Sequence, residues 1–260
     1  MVKGPEDLNA LAAIFDDELI ELDPQGIERT RQRRELIGDD GIILGPMAGT
    51  PLGMMFRVYS GVAVLAYLWA DAPEALRDCF AVMERNYLQQ IAVGVQSDID
   101  VIVSVDDTST TAISPAMFET YNIELTNVRA EAAHAAGKFY FHHSCGLIRD
   151  LLPIYRRTKM DAVHSFTVPP VGNVTVAEGR KLLGPDITIM AGCGFARLPV
   201  HAGKRMEAAR GIETFFRDAA PGNRFITYIA PDPYNTMEEL TFIVQECRKY
   251  QRMYSERYQP

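Results

Sequence analysis

Six short apolar runs, rich in β-branched residues, recur along the chain, and each is followed by a turn and then a long amphipathic segment. They cover residues 41–45, Val101–Val105, Phe139–His143, 161–166, 187–191 and 225–229. A strand with one face in water alternates apolar and polar residues. These runs do not alternate, so both of their faces are buried, as in a parallel sheet covered by helices. The segments between them open with helix-start signals. Thr175-Val176-Ala177-Glu178 and Thr236-Met237-Glu238-Glu239 predict capping boxes, Ser114-Pro115 predicts a cap with proline at the first helical position, and Asp71-Ala72-Pro73-Glu74 predicts an acid cap. Leu76, Phe80, Met83, Tyr87 and Ile91 recur every three or four residues and mark one buried helix face.

Two further helices, over 6–17 and Pro24–Ile37, precede the first strand. The second carries the charge run Glu28-Arg29-Thr30-Arg31-Gln32-Arg33-Arg34, read here as a solvated face. No Pro/Gly/Ser linker divides the 260 residues, so 1–260 is expected to form a single domain, with N-terminal helices over 6–37 and strand–helix units over 41–255. Six such units suit either a doubly wound sheet or an eight-stranded barrel short of strands. A barrel lacking strands has unpaired edges, which the N-terminal helices or a partner chain in a homo-oligomer would cover.

Composition narrows the function. There are 34 acidic and 26 basic residues, a net charge of −8, which disfavours a nucleic-acid footprint. The longest apolar run, 62–70, is about half of the ~20 residues that cross a bilayer. No signal-peptide pattern opens the chain, and the four widely spaced cysteines do not make a disulfide scaffold. A reduced, cytoplasmic protein is the expectation. Cys79 and Cys247 lie in helices and read as small buried hydrophobes.

In both architectures chemistry belongs at the C-terminal ends of the strands. There the third run continues into His143-Ser144-Cys145-Gly146, which puts an imidazole and a thiol on one face of an extended chain. The pair suits zinc, or Cys–His nucleophilic catalysis, or a buried cysteine beside a hydrogen-bonded histidine. A third zinc ligand would come from another strand end: Cys193 in Gly192-Cys193-Gly194 first, then His164, then Asp232. Asp106 and Asp107, ending the second run, are candidates for acid–base work or substrate orientation; the alternative is a loop capping its own backbone. Gly45 to Gly49 after the first run reads as a loop that lets backbone approach a ligand.

These segments together resemble the uroporphyrinogen decarboxylase superfamily. The likeness is carried by Gly45-Pro46, Val105-Asp106-Asp107, Ile113-Ser114-Pro115-Ala116-Met117-Phe118, Gly137-Lys138 leading to His143-Ser144-Cys145-Gly146, Pro169-Pro170-Val171-Gly172-Asn173 and Ala220-Pro221-Gly222. The resemblance implies a TIM-type (β/α)8 barrel, here looking short of its first strand or two. His-x-Cys-Gly looks like the superfamily's zinc-dependent corrinoid and coenzyme M methyltransferases. It implies zinc on His143 and Cys145, a small-molecule thiol as methyl acceptor and a corrinoid, on a corrinoid protein, as methyl donor. That branch has a cysteine after its last strand; this chain has Asp232 in that region, and Cys193 one strand earlier. Two alternatives follow from the same resemblance: metal-free decarboxylation of a tetrapyrrole substrate, with Asp106 stabilising the protonated intermediate, and a non-catalytic tetrapyrrole- or corrinoid-binding module.

Overall fold

A computed structural model describes residues 2–198, 200, 204–220, 224–231 and 233–256. The strands are β1 (Leu44–Ala48), β2 (Val101–Val105), β3 (Phe139–His143), β4 (Ala162–Phe166), β5 (Thr188–Ala191) and β6 (Phe225–Thr227). They form one fully parallel sheet in the order β1-β2-β3-β4-β5-β6. A doubly wound sheet reverses its strand order at a switch point. This sheet never reverses, so every crossover steps the same way and right-handed connections put the helices on one face, as in a TIM-type barrel. Among the described residues β1 and β6 are edges and are not paired with each other.

Side-chain parity sorts the strands into two cores. Ile102, Tyr140, Val163 and Ile189 pack outward in the large core under the helices. Val101, Val103, Phe141, Ala162 and Met190 form a small inner core, joined by Leu44, Ile226 and Tyr228. Alternate residues of buried strands serve opposite layers, which is why the runs are apolar throughout.

The helices are α1 (Leu8–Asp17), α2 (Pro24–Ile37), the single turn α3 (Pro51–Met54), α4 (Gly61–Asp71), α5 (Pro73–Gly94), α6 (Pro115–Tyr121), α7 (Ile123–Ala135), the turn α8 (Leu152–Tyr155), α9 (Val176–Leu183), α10 (Arg205–Ala219) and α11 (Met237–Glu256). The reciprocal bonds of Thr175 with Glu178, and of Thr236 with Glu239, form as the sequence predicts, and Ser114 Oγ caps α6. The acid cap at Asp71 does not form: the apolar run 62–70 makes α4, which ends at Asp71, and α5 starts at Pro73 without a side-chain cap. No helix among the described residues is long and apolar enough to cross a membrane.

The first strand lies three residues later than its apolar run predicts. Asp100 takes the Ile43 N–H at 2.6 Å, and Asp100 N–H donates to Ile43 carbonyl at 2.9 Å, so pairing opens at Leu44–Val101. Pro46 then sits inside the strand, which an edge position tolerates. Gly49 brings backbone against backbone: a Cβ there would lie 2.6 Å from the Val105 carbonyl oxygen. Of the N-terminal helices, α1 packs on α5, and Arg34 of α2 pairs with Asp100 just before β2.

Candidate metal centre

Because β2, β3, β4 and β5 are parallel neighbours, Asp106, Asp107, Cys145 and Cys193 lie just beyond C-terminal strand ends, His143 closes β3, and His164, in the middle of β4, stands opposite it. Parity then divides them. Ser104 stands opposite His142 in the β2–β3 register, so Asp106 continues the outward row with His142 and Asp107 the inward row with His143.

The outward group is sealed. The Asp106 side chain is 0% exposed. It accepts from Thr50 N–H at 2.7 Å and from the hydroxyls of Thr50 and Ser104. His142 Nδ1 lies 3.3 Å from Asp106 Oδ2, off the hydrogen-bonding axis, so it makes no bond. Burial opposes ionisation of Asp106; His142, Arg129 and the two hydroxyls outweigh it and hold the carboxyl below its usual range. Arg129 is itself buried, forked onto Glu84 at 3.0 and 2.7 Å. Thr108, Ser144, His142 and Tyr155 complete the group: Thr108 Oγ1 lies 3.0 Å from His142 Nε2 and 2.7 Å from Tyr155 Oη, and Ser144 Oγ donates to the Thr108 carbonyl at 2.7 Å. The network ties residue 108 to residue 144, so the loops after β2 and β3 are fixed to each other. Asp106 therefore braces the scaffold, and its carboxyl, the expected acid–base group, is closed off from solvent in this network.

The inward group opens to solvent. Asp107 Oδ1 lies 2.8 Å from His143 Nε2 and 3.5 Å from Cys145 Sγ, which donates to it. One donor atom from each of these three residues lies within 4.8 Å of the others. Asp107 is 35% exposed and His143 18%. Asp107 adopts φ 51°, the left-handed region that Asp enters more readily than most residues. Its other oxygen forms an ion pair with Arg57 Nε at 3.0 Å. Arg57, which also donates to the Val105 carbonyl, comes from a π-helical turn, Met55–Tyr59. Such turns are rare and concentrate at functional sites. Nothing in the sequence of that turn marks it, and sequence reasoning missed Arg57. The close approach of His143, helped by the Arg57 charge, pulls the Asp107 carboxyl down to about 2 despite burial. Burial and the Asp107 charge push the Cys145 thiol up to about 11.

That last shift argues against Cys145 as a His-activated nucleophile. Its hydrogen-bond partner is a carboxylate, which disfavours thiolate. A cation reverses this balance, and the donor set suits one: nitrogen, oxygen and sulfur are all ligands of zinc. Tetrahedral bonds of ~2.3 Å to sulfur and ~2.0 Å to oxygen separate the two ligand atoms by about 3.5 Å, the distance that Cys145 and Asp107 already keep.

The third member of the trio is thus Asp107, not Cys193. Cys193 begins the 3-10 turn 193–197 after β5, outside the trio. His164 stands behind His143, with its Nδ1 2.8 Å from His143 Nδ1. Burial and His143 lower its pKa to about 4. Asp232 lies outside the described residues.

No family model matches the chain, and no curated protein matches it. Among solved structures it is similar to a D-psicose 3-epimerase crystallised in the presence of D-fructose. The identity is 11% and the TM-score 0.38, over 93% of this chain and 85% of that one. A likeness of that degree says nothing about activity.

Proposed function

We propose that this chain is a zinc-dependent enzyme that activates a small-molecule thiol as a methyl acceptor. Its site is the inner face at the ends of β2 and β3. One observation supports the reading above all: a carboxylate, an imidazole and a thiol converge within 4.8 Å there. The mixed set favours zinc over magnesium or calcium, which prefer oxygen. Three protein ligands leave a fourth position for substrate, as catalytic zinc sites do. When bound, the ion supplies a lowered thiol pKa, so that a sulfur nucleophile is available at neutral pH.

The chain's own residues divide the remaining work. Asp107 stays ionised, with Arg57 fixing one of its oxygens. Cys145 surrenders its thiol proton to become a ligand. Thr108 and Ser144 lock the two loops that carry the ligands. A corrinoid as methyl donor belongs to this proposal on the strength of the loop motifs. Metal-free decarboxylation is less well supported, because the residue it needs, Asp106, is sealed from substrate.

Zinc content tests the reading. Wild-type protein purified with reduced thiols should carry a single zinc ion per chain. Asp107→Ala, His143→Ala and Cys145→Ser should each lose it, and Cys193→Ser should keep it. Wild-type protein that takes up no zinc overturns the proposal. Methylation of small thiols from a methylcorrinoid then tests the reaction.

A further inference from the structure

His143 of β3 stands opposite His164 of β4. Their ring centroids lie 5.0 Å apart and their Nδ1 atoms 2.8 Å apart. Two ring nitrogens at that distance share one proton: with two they repel, and with none two lone pairs collide. One imidazole therefore donates and the other accepts. The far nitrogen of His143, Nε2, faces Asp107 Oδ1 at 2.8 Å. An ionised carboxylate only accepts, so in the metal-free chain Nε2 carries the proton. A neutral His143 then has a bare Nδ1, and His164 is the donor.

A metal on His143 Nε2 needs the lone pair there. The neutral ring must then keep its proton on Nδ1, facing His164, whose own Nδ1 must be bare. We infer that His164 is a positioning residue that sets the tautomer of His143, donating to it in the metal-free chain and accepting from it in the loaded one. This rests on reading the trio as a zinc site. The protons balance. His143 moves one from Nε2 to Nδ1, His164 moves one from Nδ1 to Nε2, and neither ring changes charge; the proton released is the Cys145 thiol proton. Metal-bound histidines almost always donate their second N–H to a carboxylate, carbonyl or water; a carboxylate or carbonyl held in place by the fold can only accept, not donate in turn. An imidazole can do either.

The local backbone is built to aim His164. The β4–β5 register shifts between His164 and Phe166, and Ser165 between them has φ 66°. Bulges next to active sites re-aim side chains in this way. The Tyr228 ring packs against His164 with centroids 5.1 Å apart.

Two measurements on the full chain test the inference. Long-range proton–nitrogen NMR of 15N-histidine protein, before and after zinc, should show His143 switching from Nε2–H to Nδ1–H and His164 switching the opposite way. Competition with a chromophoric chelator should show zinc bound about 10–100-fold more weakly by His164→Phe, which keeps a ring but no nitrogen. His164→Asn, whose amide offers a polar atom near the place of Nδ1, should recover most of that loss. Unchanged tautomers in zinc-loaded wild type, or wild-type affinity in His164→Phe, overturn the role of His164 alone. Wild type that binds no zinc overturns the metal reading and this inference with it.

Discussion

Asp106 and Asp107 are neighbours in sequence, yet one is sealed and the other faces solvent. Their variants should separate accordingly. Asp106→Ala strands the Thr50 N–H and two hydroxyls in the interior and leaves Arg129 with less compensating charge; a loss of about 3–5 kcal/mol in urea denaturation is expected. Asp107→Asn keeps the backbone conformation, because Asn also enters the left-handed region. It should cost about 1–2 kcal/mol, since the ion pairs with Arg57 and His143 are lost from a part-exposed site, while abolishing zinc uptake. Asp107 also sets a pH dependence. Its folded pKa, about 2, lies below that of the unfolded chain, so its stabilisation is complete above the unfolded value and is lost as pH falls toward 2. Denaturation midpoints of the metal-free protein between pH 5 and 2 should fall more steeply for wild type than for Asp107→Asn. The opposite fates of the two acids were legible as parity, since 107 shares its phase with 103 and 105. What parity cannot give is the height of one strand against the next. Cys193 and Asp107 are both strand-end ligands on paper, and only the register decides which of them meets Cys145.

Among the elements, the turns that begin with their own chemical signal are the ones the sequence discloses. Thr175 and Glu178 lie three apart and close a capping box; Thr175→Ala should lower stability by about 1 kcal/mol, read as a lower melting temperature. The π-helical turn that delivers Arg57 has no such signal. Met-Phe-Arg-Val-Tyr reads as helix or strand, and the segment before it is tightly seated. Gly49 and Gly53 make that seating possible: a Cβ would lie 2.6 Å from the Val105 carbonyl oxygen at Gly49, and 2.8 Å from Asp106 Oδ1 at Gly53. The Gly49 contact is with backbone and cannot swing aside. Gly49→Ala is therefore expected to cost about 1–3 kcal/mol, as overpacking does, and to weaken zinc binding by displacing Arg57. Denaturation and chelator competition on the same variant check both effects. The first strand was displaced for a related reason. Hydrophobicity marks residues 41–45, but the hydrogen bonds of Asp100 decide where pairing starts.

On the scale of the whole molecule, the strand order matters more than the strand count. Order and parity together put the ligands of the trio on two adjacent strand ends, with the chain between them folded as α6 and α7. Asp107 precedes Cys145 by 38 residues. Closing a flexible loop of that length costs about 3 kcal/mol of entropy plus a constant, and an ion held at both ends takes hold only once the loop is closed. Zinc would thus behave as a reversible cross-link, doing for this reduced chain what a disulfide does for a secreted one, with a chelator in the role of reductant. At a free concentration of 100 times its dissociation constant it would add about 2.7 kcal/mol to stability, concentrated in the segment it spans. Hydrogen exchange in α6 and α7 should slow on loading and recover on chelation, with β5 and β6 little changed.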